Sequence, residues 1–110
     1  MNTDELVLKF IKSFETVSYT DAIRYTFLRG FCYWFCVILK ERFKEENCEI
    51  WFNPRDIHFA IRINNYLYDI TGKIDFKDFT PWEQYKLHLI ESGQEDLLLN
   101  IENQCIKKVY

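Results

Sequence analysis

Glycine and proline are scarce in this chain, three and two in 110 residues, and both facts argue against a linker-rich or low-complexity protein. No run of eighteen or more apolar residues exists, so a membrane-spanning helix is not expected. The start, Met1-Asn2-Thr3-Asp4-Glu5, lacks the basic segment of a secretory signal, and a cytoplasmic location with reduced thiols is the expectation. Positive charge is neither in excess nor massed. The net charge is -3 and the Lys and Arg residues are scattered, so no footprint for a phosphate backbone is visible and nucleic-acid binding is disfavoured. There is no glycine loop to cradle a phosphate and no Cys-x-x-Cys knuckle, and neither a cofactor nor a metal site is expected.

What is abundant is apolar and aromatic surface, 48% and 18% of residues, enough for one compact core. No repeat or composition break divides the chain, so residues 1–110 read as a single domain. Its centre is the unbroken apolar run Phe31-Cys32-Tyr33-Trp34-Phe35-Cys36-Val37-Ile38-Leu39, which as a helix is greasy on every face and reads as buried on all sides. Gly30, just before it, leaves two readings open. Either a new helix starts at Phe31, or one helix runs from Asp21 to about Lys44 and carries Gly30 at a cost of about 1 kcal/mol.

Around this run the periodicity places the other elements. Thr3 is the expected cap of a first helix with Leu6, Val7, Phe10, Ile11 and Phe14 inward. Residues 15–19 read as a connection, and Thr20-Asp21 starts a second helix with Ile23, Phe27 and Leu28 inward. The charged stretch Lys40 to Glu46 reads as a solvated helix end in which Glu41 and Lys44 can pair. After Glu46 the period changes from helical to alternating. Cys48–Phe52, Ile57–Ile63 and Tyr66–Thr71 read as three antiparallel strands, the last two joined by Asn64-Asn65, with Gly72 ending the third. Thr80-Pro81-Trp82-Glu83 carries the signature of a helix start and predicts a helix from Pro81 to about Ile90, stopped by Ser92-Gly93; Glu95–Ile101 predicts a short last helix before a polar tail. Trp34, Cys36, Cys48 and Cys105 are expected in the core, and Trp51 and Trp82 partly exposed. The fold class is α+β: N-terminal helices and a buried central helix packed on a three-stranded antiparallel sheet, with C-terminal helices.

Pairing Ile63 with Tyr66 across a two-residue turn fixes which side chains share a face. Phe59, Ile61, Ile63, Tyr66, Tyr68 and Ile70 fall on one face, and His58, Ala60, Arg62, Leu67, Asp69 and Thr71 on the other. His58 and Asp69 become diagonal neighbours about 7 Å apart at Cβ, within reach for a carboxylate to orient an imidazole. A loop of three or five residues would put them on opposite faces. With Cys32 against the other ring nitrogen, the three would make a nucleophile, a base and an orienting acid. The plain alternative for Cys32 is a core cysteine of low reactivity.

Gly30-Phe31-Cys32-Tyr33-Trp34-Phe35 opening an apolar helix, with His58 and then Asp69 on successive strands and Tyr68-Asp69-Ile70-Thr71-Gly72 at the strand end, resembles the papain-like and transglutaminase-like cysteine hydrolases. The matching residues span 30 to 72. The resemblance implies a small cysteine hydrolase or acyl-transfer enzyme with Cys32 as nucleophile, His58 as general base and acid, and Asp69 holding the ring. No Asn or Gln stands just before Cys32 as an oxyanion donor, which leaves backbone amides at the helix start for that role. A second reading comes from a different class. A compact, acidic, single-domain chain without a cofactor motif looks like the small proteins of phages and mobile elements, anti-CRISPR inhibitors among them, which act by occluding a host protein. The partner is then a protein, where the first reading takes a peptide or acyl substrate; a homodimer is the third alternative.

Overall fold

The structure is a computed structural model that describes residues 1–14 and 31–107. In chain order it forms α1 (Thr3–Ser13), α2 (Cys32–Arg42), β1 (Cys48–Asn53), β2 (His58–Ile63), β3 (Tyr66–Asp69), β4 (Gly72–Ile74), β5 (Thr80–Pro81), α3 (Trp82–Glu91) and α4 (Glu95–Ile101), which runs into a wider π turn at Glu102–Ile106. The expected connection at residues 15–19 and the expected helix from Thr20-Asp21 lie outside the described residues.

The chain is α+β, and its sheet has five antiparallel strands in the order β4-β3-β2-β1-β5. The three expected strands are its middle, and a short strand is added at each edge. Gly72, at φ +116, adopts a backbone conformation that side chains disfavour. The chain therefore reverses after Thr71, and Gly72–Ile74 pairs back onto β3 instead of ending the sheet. At the other edge Thr80 and Pro81 pair with Phe52 and Trp51. An edge strand tolerates proline because its missing N–H would face away from the ladder. This pairing displaces the expected capping box: α3 begins at Trp82, with Pro81 as its cap residue and no side-chain cap bond. At the far end Gly93, at φ +73, stops α3 as anticipated.

The hairpin register is the one the two asparagines imply. Ile63 pairs with Tyr66, Arg62 with Leu67 and Ile61 with Tyr68, and Asn64 takes the left-handed conformation at φ 56. One sheet face packs against α2 and α3 through aromatic rings that meet edge-on or tilted. Phe52 lies 4.7 Å from Phe59 and 5.0 Å from Trp82, and Phe59 lies 4.9 Å from Trp82 and 5.2 Å from Tyr33, centroid to centroid. Trp82 is therefore a core residue, not a partly exposed one.

Two further expectations about burial are corrected. α2 is not buried on all sides: Cys32, Phe35, Cys36 and Leu39 form a single buried stripe, while Trp34 is 38% and Ile38 39% exposed. A sheet covers only the stripe of a helix that faces it, and hydrophobicity around the rest does not create a second partner. Conversely, Ala60 and Leu67, expected on a solvent face, are fully buried. The chain between β4 and β5 folds over that face, where Phe76 packs edge-on against Trp51 at 5.1 Å.

α1 is capped by Asn2, whose side chain accepts the Glu5 N–H at 2.8 Å; Thr3, the expected cap, is its first residue and donates instead to Glu46. Val7 and Ile11 are buried, whereas Leu6 is exposed. Asp4 ties this helix to the sheet by accepting from the Tyr68 hydroxyl and from Lys73 Nζ at 2.8 Å. Glu41 and Lys44 do pair, at 3.6 Å on an exposed helix end. The residues after Ile101 continue as the π turn with Cys105 buried, where a polar tail was expected. Cys36 is also buried, and Cys48 half-buried.

Candidate functional site

Cys32 is the first residue of α2. Phe31 before it is non-helical, at φ -119 and ψ 19, so the helix starts here and does not run through from residue 21. Gly30 itself lies outside the described residues. The thiol is almost enclosed, 3% exposed. Its sulfur lies at the start of α2 and accepts the backbone N–H of Phe59 at 3.4 Å. One turn further in, complete burial pushes the Cys36 thiol well up.

His58 is the first residue of β2 and sits at the end of a tightly built turn. Asn53, buried at the end of β1, accepts the N–H groups of Arg55 and Asp56 at 2.9 and 3.2 Å. This is the side-chain turn that asparagine makes readily, and it brings the chain back so that Asn53 and His58 pair across the two strands. Ile57, immediately before His58, occupies the left-handed region at φ 50, a costly position for a β-branched side chain.

Asp69 ends β3. Its Oδ2 lies 3.0 Å from His58 Nε2, and its Oδ1 accepts both the N–H of Thr71, at 2.8 Å, and the Thr71 hydroxyl. With Nε2 taken by Asp69, Nδ1 is the ring nitrogen left free of that pair, and the Cys32 sulfur is near enough to influence the ring's charge. His58 and Asp69, from two strands, thus meet directly, and Cys32 lies beside them through its bond with the Phe59 N–H, next in the chain to His58.

The charges follow from this arrangement. Burial by itself disfavours a charged His58 ring, but the hydrogen bond with Asp69 and the nearby Cys32 sulfur outweigh it and push the imidazole up to about 9. For Asp69 burial favours the neutral acid, yet the bonds from His58 and Thr71 prevail and hold the carboxyl below its ordinary range. At neutral pH the ring is an imidazolium clamped by a carboxylate on one side and next to a thiol on the other. Such a ring can hold a thiol as its thiolate, and it can pass a proton to a group bonded to the sulfur.

Sequence reasoning missed three contributors. Thr71 appeared only as part of the strand face and strand end, with no role of its own, although Asp-x-Thr is a recognisable local hydrogen-bonding pattern. The Phe59 N–H leaves no trace in residue identity, because every residue but proline carries that group. Phe79 packs edge-on against the His58 ring at 6.2 Å, and only the fold-back of the β4–β5 connection brings it there. Among the described residues no group of three His, Cys, Asp or Glu side chains could hold a metal ion, and no helix is long and apolar enough to cross a membrane.

A family model described as Phage YunG-like protein matches residues 7–105. No curated protein and no solved structure matches the chain.

Proposed function

The chain belongs to the phage YunG-like family, and from the geometry of its site we propose that this member is a small cysteine hydrolase or acyl-transfer protein that works through Cys32, His58 and Asp69. The observation that carries the reading is the pair His58 Nε2–Asp69 Oδ2 at 3.0 Å, set beside a cysteine at a helix start. The papain-like arrangement suggested by the sequence is part of this proposal. In it the Cys32 thiolate attacks the carbonyl carbon of a peptide or acyl group, forming a C–S bond and an oxyanion. Backbone N–H groups of the first turn of α2, which have no intrahelical acceptors, are the donors for that oxyanion. The His58 imidazolium gives its proton to the departing amine or alcohol as the C–N or C–O bond breaks, leaving a thioester. Neutral His58 then takes a proton from water, or from an acceptor amine, as that nucleophile displaces Cys32. Asp69 keeps the ring aligned and balances its charge throughout.

Site-resolved alkylation by iodoacetamide from pH 5 to 9, read by mass spectrometry, tests the reading. Cys32 is expected to react far faster than Cys36, Cys48 and Cys105 at neutral pH and to lose that advantage in His58→Ala. A Cys32 that stays inert until the protein unfolds refutes it.

The family match supports a second reading more directly than the first: a phage protein that binds and occludes a host protein, as anti-CRISPR-type inhibitors do. Exposed Trp34, Ile38, Leu87 and Ile90 supply apolar surface for such a partner or for a second copy. Four free thiols among the described residues suit a reducing cytoplasm under either reading. The two readings part at Cys32→Ala, which abolishes the protein's effect if it is an enzyme and leaves it intact if it is a binder.

A further inference from the structure

The Asp69 carboxylate can serve His58 only if one oxygen is kept pointing at the ring. A buried aspartate at a strand end has two equivalent oxygens and a broad torsion about the last bond of its side chain. Here the two oxygens have separate partners. Oδ1 takes two donors from one residue, the Thr71 N–H at 2.8 Å and the Thr71 hydroxyl, while Oδ2 is left to His58 Nε2 at 3.0 Å. Both Thr71 donors lie two residues further along the chain, in the reversal that Gly72 permits, so the same turn that starts β4 also locks the carboxylate. Thr71 is exposed while Asp69 is 7% exposed, so this hydroxyl is spent inward on the carboxylate even though its residue is on the surface.

We propose that Thr71 is a positioning residue that fixes the Asp69 carboxylate plane by filling Oδ1 and thereby holds His58 in its charged, aligned state. The proposal rests on the triad reading for its functional meaning, but the linkage itself runs from Thr71 through Asp69 to the imidazole and has its own observable. Thr71→Val removes the hydroxyl while keeping the backbone donor and the branched shape; Thr71→Ser restores the hydroxyl.

The experiment is a titration of the His58 ring by 1H–15N NMR in wild type, Thr71→Val and Thr71→Ser, with urea unfolding of each. The expected result is a lower titration midpoint in Thr71→Val, by roughly one pH unit or a tenfold fall in the charged-to-neutral ratio, with Thr71→Ser close to wild type. A Thr71 that merely stabilised the turn would shift the unfolding midpoint and leave the His58 titration where it was, and that result overturns the proposal. Should Thr71→Val not fold, Thr71→Ala carries the same expectation and the same refutation. The ring titration needs no reactive thiol, so an inert Cys32 in the alkylation assay would sink the enzymatic reading without touching this linkage. A reactive Cys32 combined with an unmoved His58 titration would do the reverse.

Discussion

Replacing Asp69 by Asn removes the negative charge that faces His58 and keeps the size of the side chain, so it isolates what that charge does. His58 is largely enclosed, with 15% of its side chain exposed, and its burial continues to oppose protonation in the variant. A ring raised from the ordinary 6.5 to about 9 prefers its charged form in the folded protein by roughly 3 kcal/mol, an interaction shared between the Asp69 and Cys32 partners. At pH 7.5 that corresponds to roughly thirty charged rings for each neutral one. With Asp69 neutralised, the titration is expected to fall by at least one pH unit, toward 6.5. The effect on stability has a definite sign. Between pH 6.5 and 9 the unfolded chain has released this proton while the folded one retains it, so stability falls as pH rises across that window. Asp69 works in the other direction: its folded carboxyl is held low, so its contribution is lost as pH drops below the ordinary value of 3.8. Urea unfolding at half-unit steps from about pH 5.5 to 9.5, with the ring titration by NMR, measures the His58 contribution and its midpoint. Wild type should lose up to about 3 kcal/mol across the basic window relative to Asp69→Asn, whose profile is flatter. A wild-type ring that titrates near 6.5, or a variant that still titrates near 9, refutes the account of the pair.

Three further outcomes follow from the packing. Phe52→Ala empties a fully buried site bounded by the rings of Phe59, Trp82 and Tyr85 and should cost about 3–5 kcal/mol in equilibrium unfolding; a loss under 1 kcal/mol contradicts the core described. Ile57→Asn, at φ 50, exchanges a β-branched residue for one that tolerates the left-handed region and should raise stability by roughly 0.5–1 kcal/mol, while a destabilised variant would show the side chain to be needed where it is. Gly93→Ala meets no neighbouring atom but keeps φ at +73, so it should cost about 1 kcal/mol, and a neutral result would mean that the end of α3 can rearrange.

The local patterns were legible because each depends on residues close together in the chain. Asn64-Asn65 between alternating strands specifies the hairpin and its register, and that register alone makes His58 and Asp69 neighbours. Ser92-Gly93 stops a helix wherever it occurs, and Glu95–Ile101 carries enough helical periodicity to be seen. Tertiary pairing decided the rest. Thr80 and Pro81 have the chemistry of a helix start, but the edge of β1 competes for the same backbone and wins. The apolar run from Phe31 to Leu39 states how hydrophobic α2 is, not which of its faces meets the sheet, so Trp34 and Ile38 stand exposed while Trp82 fills the core. The sequence by itself determined which residues could meet as a thiol, an imidazole and a carboxylate. Only the folded chain brought the helix start that carries Cys32 against β2, where the Phe59 N–H donates to the sulfur, because no spacing in the chain encodes how a helix end packs on a strand.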